Sequence, residues 1–230
     1  MSTDYSFLTL LQICDSVFPI GSYTQSNGLE TYVQKNIVSN KFEAEHYIKN
    51  MLMYNIKYGD ALGAALAYKA VSAQDISMLK EIDNTLWASK GAKEIKEGSC
   101  KLCMRFLKLV REFSEGSFTK DYMRLINEGL CYGQYGIAFG LYAAESNINP
   151  QHALTAFLYN QASAMAVNCT KLIPLGQIDG QKLLFSMHNI IEKLTLEIMQ
   201  LTIDDLGRCC IGFEIRSMQH EDLYSRLYMS

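Results

Sequence analysis

Proline occurs at only three positions in this chain, Pro19, Pro150 and Pro174, so long stretches contain no residue that would stop a helix. A proline inside a helix removes a backbone hydrogen bond, and its ring clashes with the preceding turn. Between the prolines, apolar residues recur every three or four positions, which is the period of one helix face. No stretch combines a two-residue alternation with hairpin turn dipeptides. The sequence therefore predicts an all-α fold without strands.

Local signals place the ends of two of these helices. Asn149 followed by Pro150 predicts a helix start, because asparagine caps well and proline suits the first helical position. This helix should end near Leu172, because another proline follows two residues later. A second helix should run for five turns over 183–201 and stop near Gly207, a natural C-terminal glycine. At the N-terminus, a further amphipathic helix should have an apolar face made of Phe7, Leu8, Leu11 and Cys14.

Four glycines, Gly129, Gly133, Gly136 and Gly140, would lie on one face of a single helix and form a stripe without side chains. Each glycine costs about 1 kcal/mol relative to alanine inside a helix. We interpret the stripe as a surface for close helix–helix approach. The alternative is a helix that is broken in this region.

Composition and charge narrow the class of protein. Hydrophobic residues make up 49% of the chain and the net charge is −3, with no basic patch, so nucleic acid and anionic membranes are not expected partners. The first residues do not have the pattern of a signal peptide. The odd number of cysteines, seven, is typical of a protein in a reducing compartment. Together these features predict a cytoplasmic protein. The uncharged stretches 129–144 and 151–170 are predicted as buried central helices rather than membrane spans. One domain over 1–230 is the simplest organisation.

Motifs for catalysis and for metal binding are missing from the sequence. There is no phosphate-binding glycine loop and no nucleophile elbow. Cys100 and Cys103 form a C-x-x-C without a second pair at zinc-site spacing, and we interpret them as small buried residues of a helix. Cys209 and Cys210 are adjacent, and the four histidines are far apart in sequence. The residues alone predict a helical binding or scaffold protein with no catalytic residue, metal ligand or cofactor.

Three long motifs nevertheless stand in a characteristic order. They are "FPIGSYTQSNGLE" at 18–30, "KLIPLGQIDGQKLL" at 171–184 and "HEDLYSRLYMS" at 220–230, with a weaker match in "KEGSCKLCMRFLKL" at 96–109. The chain resembles the urease accessory proteins called UreF over essentially its whole length.

The resemblance implies an all-helical homodimer without chemistry of its own. Such proteins bridge UreD (also called UreH) and the GTPase UreG, and the assembly delivers nickel to the urease apoprotein. The alternative is a GTPase-activating or GTPase-coupling regulator of UreG. Lys96 and Lys171 stand where the family commonly has arginine, and Gln134 where it commonly has histidine. Because lysine lacks the planar guanidinium that stabilises a phosphoryl transition state, we favour the scaffold. A weaker hypothesis is a metal chaperone that uses the cysteines.

The three motifs define the predicted partner-binding residues. The first is a polar loop in which Asn27 and Glu30 should form a capping box at the start of a helix. The second is a rigid break over 174–180. The third is a tail, about 215–230, in which Leu223 and Leu227 should share a helix face; it is expected to be mobile until it docks on UreD. The residues are Pro19, Gly21, Tyr23, Gln25, Gly28, Glu30, Lys96, Lys171, Pro174, Gly176, Gln177, His220, Glu221, Arg226 and Tyr228.

Overall fold

In a computed structural model, residues 5–22, 25–26, 28–208 and 210–228 are described, and over these ranges the chain is helical without a strand. The all-α prediction is confirmed. The helices are α1 Tyr5–Ile13, α2 Leu29–Gln34, α3 Lys41–Asn50, α4 Leu62–Ser72, α5 Ile76–Ser89, α6 Lys93–Val110, α7 Ser117–Asn127, α8 Tyr135–Glu145, α9 Pro150–Leu172, α10 Gln177–Ser186, α11 His188–Gln200 and α12 Ile211–Gln219. A π-helical segment, Met51–Ala61, joins α3 to α4, and short 3₁₀ turns lie at Ile203–Asp205 and His220–Asp222.

Helix α8 is the centre of the molecule. Nine of its eleven residues are buried, and it packs against α4, α6 and α9 within one continuous apolar core. Gly136 and Gly140 face the backbone carbonyls of Asp60 and Ala64 so closely that a methyl group at either glycine would overlap a carbonyl oxygen. The predicted close helix approach is therefore confirmed for this pair of glycines.

The other two glycines of the predicted stripe lie outside any helix. Gly129 and Gly133 have φ values of 73° and 88°, in the left-handed region that favours glycine, and α8 begins only at Tyr135. A single helix carrying all four glycines was therefore a wrong prediction, and the alternative of a broken helix is correct for the first two.

The limits predicted for α9 are confirmed. The Asn149 side chain accepts hydrogen bonds from the backbone N–H groups of Gln151 and His152 at 3.0 and 3.1 Å, and the helix ends at Leu172.

The predicted five-turn helix over 183–201 is wrong, because the chain breaks at Met187 between α10 and α11. Met187 is itself buried, and the apolar periodicity continues across the break. For this reason the pattern of apolar residues does not reveal two helices. The second of them ends at Gln200, earlier than Gly207 suggested.

Helix α1 forms as predicted but buries a different face. Leu10 and Ile13 are buried in the core, whereas Phe7, Leu8 and Leu11 remain about half exposed. The helix is apolar on two sides, so its periodicity predicts the element without saying which side meets the body. The result is an exposed apolar surface, the α1 face, consisting of Phe7, Leu8 and Leu11.

The uncharged stretches lie within or beside α8 and α9. Helix α8 is almost entirely buried, as predicted, whereas α9 exposes His152 and Tyr159 along one side. None of the described helices combines the length and the apolar character that a membrane crossing needs.

Candidate functional site

Four predicted site residues that are far apart in sequence meet at one place. They are Glu30 of α2, His220 of the last 3₁₀ turn, and Arg226 and Tyr228 beyond it. His220 contacts both Glu30 and Glu94 in the first turn of α6, Arg226 donates to Glu94, and the backbone N–H of Tyr228 donates to Glu30. We call this group of five residues, with the backbone N–H of Leu227, the C-terminal clasp. It holds residues 223–228, the C-terminal segment, against the helical body.

Glu30 is the acceptor at the centre of the clasp. It is buried, and its Oε1 accepts the backbone N–H of Leu227 at 2.7 Å while Oε2 accepts that of Tyr228 at 3.2 Å. The predicted capping box is wrong, because the N-cap of α2 is Gly28. Its predicted partner Asn27 lies outside the described residues.

His220 is fully buried between two carboxylates. Its Nδ1 lies 2.6 Å from Glu94 Oε2, and its Nε2 lies 3.2 Å from Glu30 Oε2. The other carboxylate oxygen of Glu94 accepts a hydrogen bond from Arg226 Nη1 at 2.8 Å. Glu94 therefore joins the histidine to the arginine of the same terminal motif.

Glu94 was missed by the sequence reasoning. It stands two residues before the weakest of the four matching stretches, and no local motif includes it. The available signal was an acidic residue in the first turn of a helix, a position that suits a carboxylate but has no specific meaning.

The C-terminal segment is not helical. After the turn at His220–Asp222 the chain is irregular, so the predicted helix face shared by Leu223 and Leu227 is wrong. Tyr228 turns inward and is buried, whereas Leu227 is 67% exposed and Tyr224 is fully exposed. Burial raises the pKa of Tyr228, and the nearby Glu30 and Cys169 raise it further. The expected mobility of residues 215–230 stays a prediction.

The polar loop of the first motif is hydrogen-bonded to two helices. Arg105 Nη1 of α6 donates to the carbonyl of Ile20 at 3.1 Å, and Asn168 Nδ2 of α9 donates to that of Gln25 at 2.9 Å. The side chain of Gln25 is half-buried and lies against Gly98 of α6. Its role in binding a partner stays a prediction.

Other residues of the loop have different surroundings. Pro19 and Ser22 are exposed, and Gly21 has a φ of 79°. The predicted residue Tyr23 lies outside the described residues.

The second motif forms an exposed corner between α9 and α10. Lys171, Pro174, Gly176 and Gln177 are all exposed there, as a docking surface requires. Lys96 lies elsewhere, with its ammonium 4.9 Å from the centre of the Trp87 ring.

Glu221, next to His220 in the chain, is exposed. The first and second motifs share one depression, since Ser22 and Lys171 both line it. The structure thus places the predicted residues in two groups, the clasp and this depression with its corner, and leaves Lys96 apart.

The cysteines are poorly suited to bind a metal. Burial raises the pKa of the Cys100 thiol to about 11 and that of Cys103 well above its ordinary value, which keeps both protonated at neutral pH. Cys210 is half-buried, and Cys209 lies outside the described residues. Among the residues that the structure describes, no three His, Cys, Asp or Glu side chains are grouped to hold a metal ion.

A buried lysine, Lys90, lines a cavity that α5, α6 and α9 also border. Lys90 Nζ donates to Gln134 Oε1 at 2.7 Å, to Asp60 Oδ1 at 2.9 Å and to Ser99 Oγ at 3.3 Å. Three acceptors saturate an ammonium group, so this lysine is a structural cation. Gln134 is one of its acceptors.

Comparisons with known proteins agree with the resemblance. The UreF family model matches residues 38–188. The urease accessory protein UreF of Actinobacillus pleuropneumoniae serotype 5b (strain L20) is 38% identical over 221 residues, 96% of this chain and 97% of the relative. That of Haemophilus influenzae (strain PittGG) is 37% identical over 225 residues, covering 96% and 94%. That of Bacillus sp. (strain TB-90) is 34% identical over 223 residues, covering 97% and 98%.

Proposed function

The chain belongs to the UreF family of urease accessory proteins, and from this premise we propose that it serves urease maturation as a bridge without catalysis. In this proposal it binds UreD (UreH) on one side and the GTPase UreG on the other. Nickel is the cargo that the assembly delivers to the urease apoprotein in the cytoplasm, and the chain needs no cofactor of its own.

The observation that carries the proposal is the way in which the C-terminal segment is held. Its contacts to the body are mainly hydrogen bonds and an ion pair at Glu30 and Glu94, while the side chains of Leu227 and Tyr224 face solvent. Exposed aromatic and aliphatic side chains next to an arginine are typical of protein–protein contacts. We assign this segment to the UreD contact and the corner at Lys171–Gln177 to the UreG contact.

The arginines support a scaffold over a GTPase-activating protein. An arginine finger has to reach into a nucleotide site with its guanidinium free. All six arginines lie within the described ranges, and each is engaged inside the chain: Arg105 with a carbonyl, Arg111 with Met123, Arg124 with Asp121 and Glu128, Arg208 with Asp205, Arg216 with Gln219, and Arg226 with Glu94.

The α1 face supports a homodimer. Phe7, Leu8 and Leu11 expose apolar side chains on consecutive turns of one helix, and Val17 just beyond it is 81% exposed. Contiguous apolar surface of this kind marks an interaction site. We therefore propose that two copies meet through α1, which leaves the clasp free for other partners.

The test is a pull-down with purified UreD and UreG, with and without GTP. The full chain should retain both in one complex. A chain lacking Ser225–Ser230 should lose UreD and keep its helical circular dichroism. A Leu196→Ser variant, altered at an exposed leucine of α11, should behave like the full chain. Normal UreD binding by the shortened chain would overturn the assignment of the segment.

The alternative, a GTPase-activating function on UreG, is tested by a separate measurement. Substoichiometric amounts of the chain should leave GTP hydrolysis by UreG unchanged if it acts as a scaffold. An acceleration that one arginine substitution removes would establish the GTPase-activating function instead.

A further inference from the structure

A second exposed apolar surface lies where α9 meets α10. Ile178 and Phe185 are seven positions apart on α10, so they lie on one side of that helix, and they are 74% and 72% exposed. Tyr159 of α9, which is 44% exposed, lines one shallow depression together with both of them. We call these three residues the α9–α10 face. Large apolar side chains grouped in this way on a surface mark an interaction site.

The α9–α10 face is a neighbour of the α1 face. Cys14 follows Leu11 by three residues and Phe7 by seven, and its backbone N–H still makes the helical hydrogen bond, so it continues their side of the helix. Cys14 and Tyr159 line one depression, and Asn160 Nδ2 donates to the carbonyl of Cys14 at 2.9 Å. Tyr159 thus borders both the depression at the end of α1 and the depression at α10, and it lies between the two apolar faces.

The α1 face alone is too small for a stable dimer. A whole aromatic side chain offers about 150–250 Å² and an aliphatic one somewhat less, so the half-exposed α1 face and Val17 together offer about 400 Å² per copy. A standard interface needs about 800 Å² from each partner. On the same basis the α9–α10 face adds about 350 Å². The two faces together therefore come close to the area that a stable dimer buries.

The chemistry of α1 also fits an apolar partner surface. The helix carries no charged side chain from Tyr5 to Ile13. It can therefore be covered by apolar side chains without leaving a charge buried and unpaired. A second copy of the chain supplies such a surface in its α9–α10 face.

We propose that the homodimer is built from two reciprocal contacts, each between the α1 face of one copy and the α9–α10 face of the other. This inference rests on the homodimer proposed above and adds the surface that α1 meets. In a dimer with twofold symmetry, a contact from the first copy to the second is repeated from the second to the first. Both apolar faces are then covered on both copies. Pairing α1 with α1 would leave the α9–α10 face exposed.

The first test is sedimentation velocity of the full chain and its variants. Phe185→Lys should raise the dimer dissociation constant by at least about 30-fold, as loss of a central interface side chain does. Ile178→Lys, on the same face, should have a similar effect. Phe42→Lys is the matched control, because Phe42 of α3 is 69% exposed and its ring lies 4.4 Å from that of His46, much as the Phe185 ring lies 4.9 Å from that of His188. This control should stay dimeric, and all three variants should keep the native circular dichroism.

A mixing experiment distinguishes reciprocal contacts from self-paired ones. Leu11→Glu and Phe185→Lys should each be monomeric alone and should form a dimer when they are mixed. In that heterodimer one contact is entirely native, and the other brings the introduced carboxylate to the introduced ammonium. If α1 paired with α1 and the α9–α10 face with its own copy, every contact in the mixture would carry a substitution and the variants would stay monomeric.

The outcomes separate this inference from the homodimer on which it rests. A monomeric native chain would overturn both. A native dimer that survives Phe185→Lys and Ile178→Lys would overturn the reciprocal contact alone, as would a mixture of Leu11→Glu and Phe185→Lys that stays monomeric. If Phe185→Lys remains dimeric but loses UreG in the pull-down, the α9–α10 face belongs to UreG instead.

Discussion

The Glu30 carboxylate accepts the backbone N–H of Tyr228 at 3.2 Å, although the two residues are 198 positions apart in the chain. The contact joins the first family motif to the third. Each motif alone predicts a local structure, a capped helix start and a short terminal helix. In the folded chain they are two halves of one site, and neither local prediction is correct.

The Glu30→Gln substitution should detach the C-terminal segment. Glutamine has one acceptor oxygen in place of two, and its amide would face a backbone N–H, so the docked state should lose about 1–3 kcal/mol. Hydrogen–deuterium exchange of a peptide covering 223–228 should accelerate accordingly. Glu221→Gln, at an exposed glutamate of the same motif, should leave exchange unchanged. Equal protection in both variants would mean that Glu30 does not hold the segment.

The Gly140→Ala substitution should destabilise the fold. The added methyl group would overlap the carbonyl oxygen of Ala64, and relief requires α4 and α8 to separate. Overpacking of this kind costs about 1–3 kcal/mol. Urea unfolding followed by circular dichroism measures the loss. Gly176→Ala is the matched control, because nothing lies within 4 Å of the added methyl, and it should stay within about 0.5 kcal/mol.

The Leu11→Glu substitution should dissociate the proposed homodimer. A carboxylate on the α1 face would be desolvated by the partner copy, which is unfavourable without a cation to pair it. Sedimentation velocity should show monomers that keep the native helical content. Leu196→Glu is a close control, because both leucines are 52% exposed and Leu196 lies on α11. A dimer that survives Leu11→Glu but not Leu196→Glu would move the interface to α11.

The Cys100 thiol should be unreactive near neutral pH. Its pKa is raised to about 11, chiefly by burial, so the thiolate fraction at pH 8 is on the order of 0.1%. Alkylation by iodoacetamide, followed by mass spectrometry, should be at least tenfold slower than for a free cysteine and should accelerate as pH rises toward 11.

The raised pKa of the Cys100 thiol also argues against the metal-chaperone hypothesis, because the thiolate is the form that binds metal. Equilibrium dialysis with Ni²⁺ should give equal binding for the native chain and Cys100→Ser. A loss of nickel binding in the variant would revive that hypothesis.

The sequence predicted correctly those features that are determined by residues close to them in the chain. Helix α9 was placed correctly at both ends, because Asn149, Pro150 and Pro174 act within a turn of the boundary they set. The break at Met187 was missed, because a buried residue continues the apolar period across it. The α1 helix was predicted, but which face it buries depends on the body that packs against it.

For the functional site, too, the sequence did not show which distant residues meet, as the C-terminal clasp illustrates. Family motifs supplied Glu30, His220 and Arg226 as separate residues, and the geometry that groups them comes from helices contributed by the whole chain. Glu94 carries no motif and acts only through its place at the start of α6, so no sequence pattern could identify it. Sequence did predict the break in the helical pattern at Lys171–Gln177, where Pro174 and Gly176 interrupt the helix.

The distance in sequence between Glu30 and Tyr228 has a consequence for synthesis of the protein. At about 5–20 residues per second, a ribosome adds the N–H groups that Glu30 accepts about 10–40 seconds after it adds Glu30 itself. The helices α3 to α11 are all synthesised within this interval and can begin to pack while that carboxylate is still exposed to water. Placement of residues 223–228 is thus a late and separate event in the life of the nascent chain, and a ribosome-bound intermediate should present an open acidic notch beside α6.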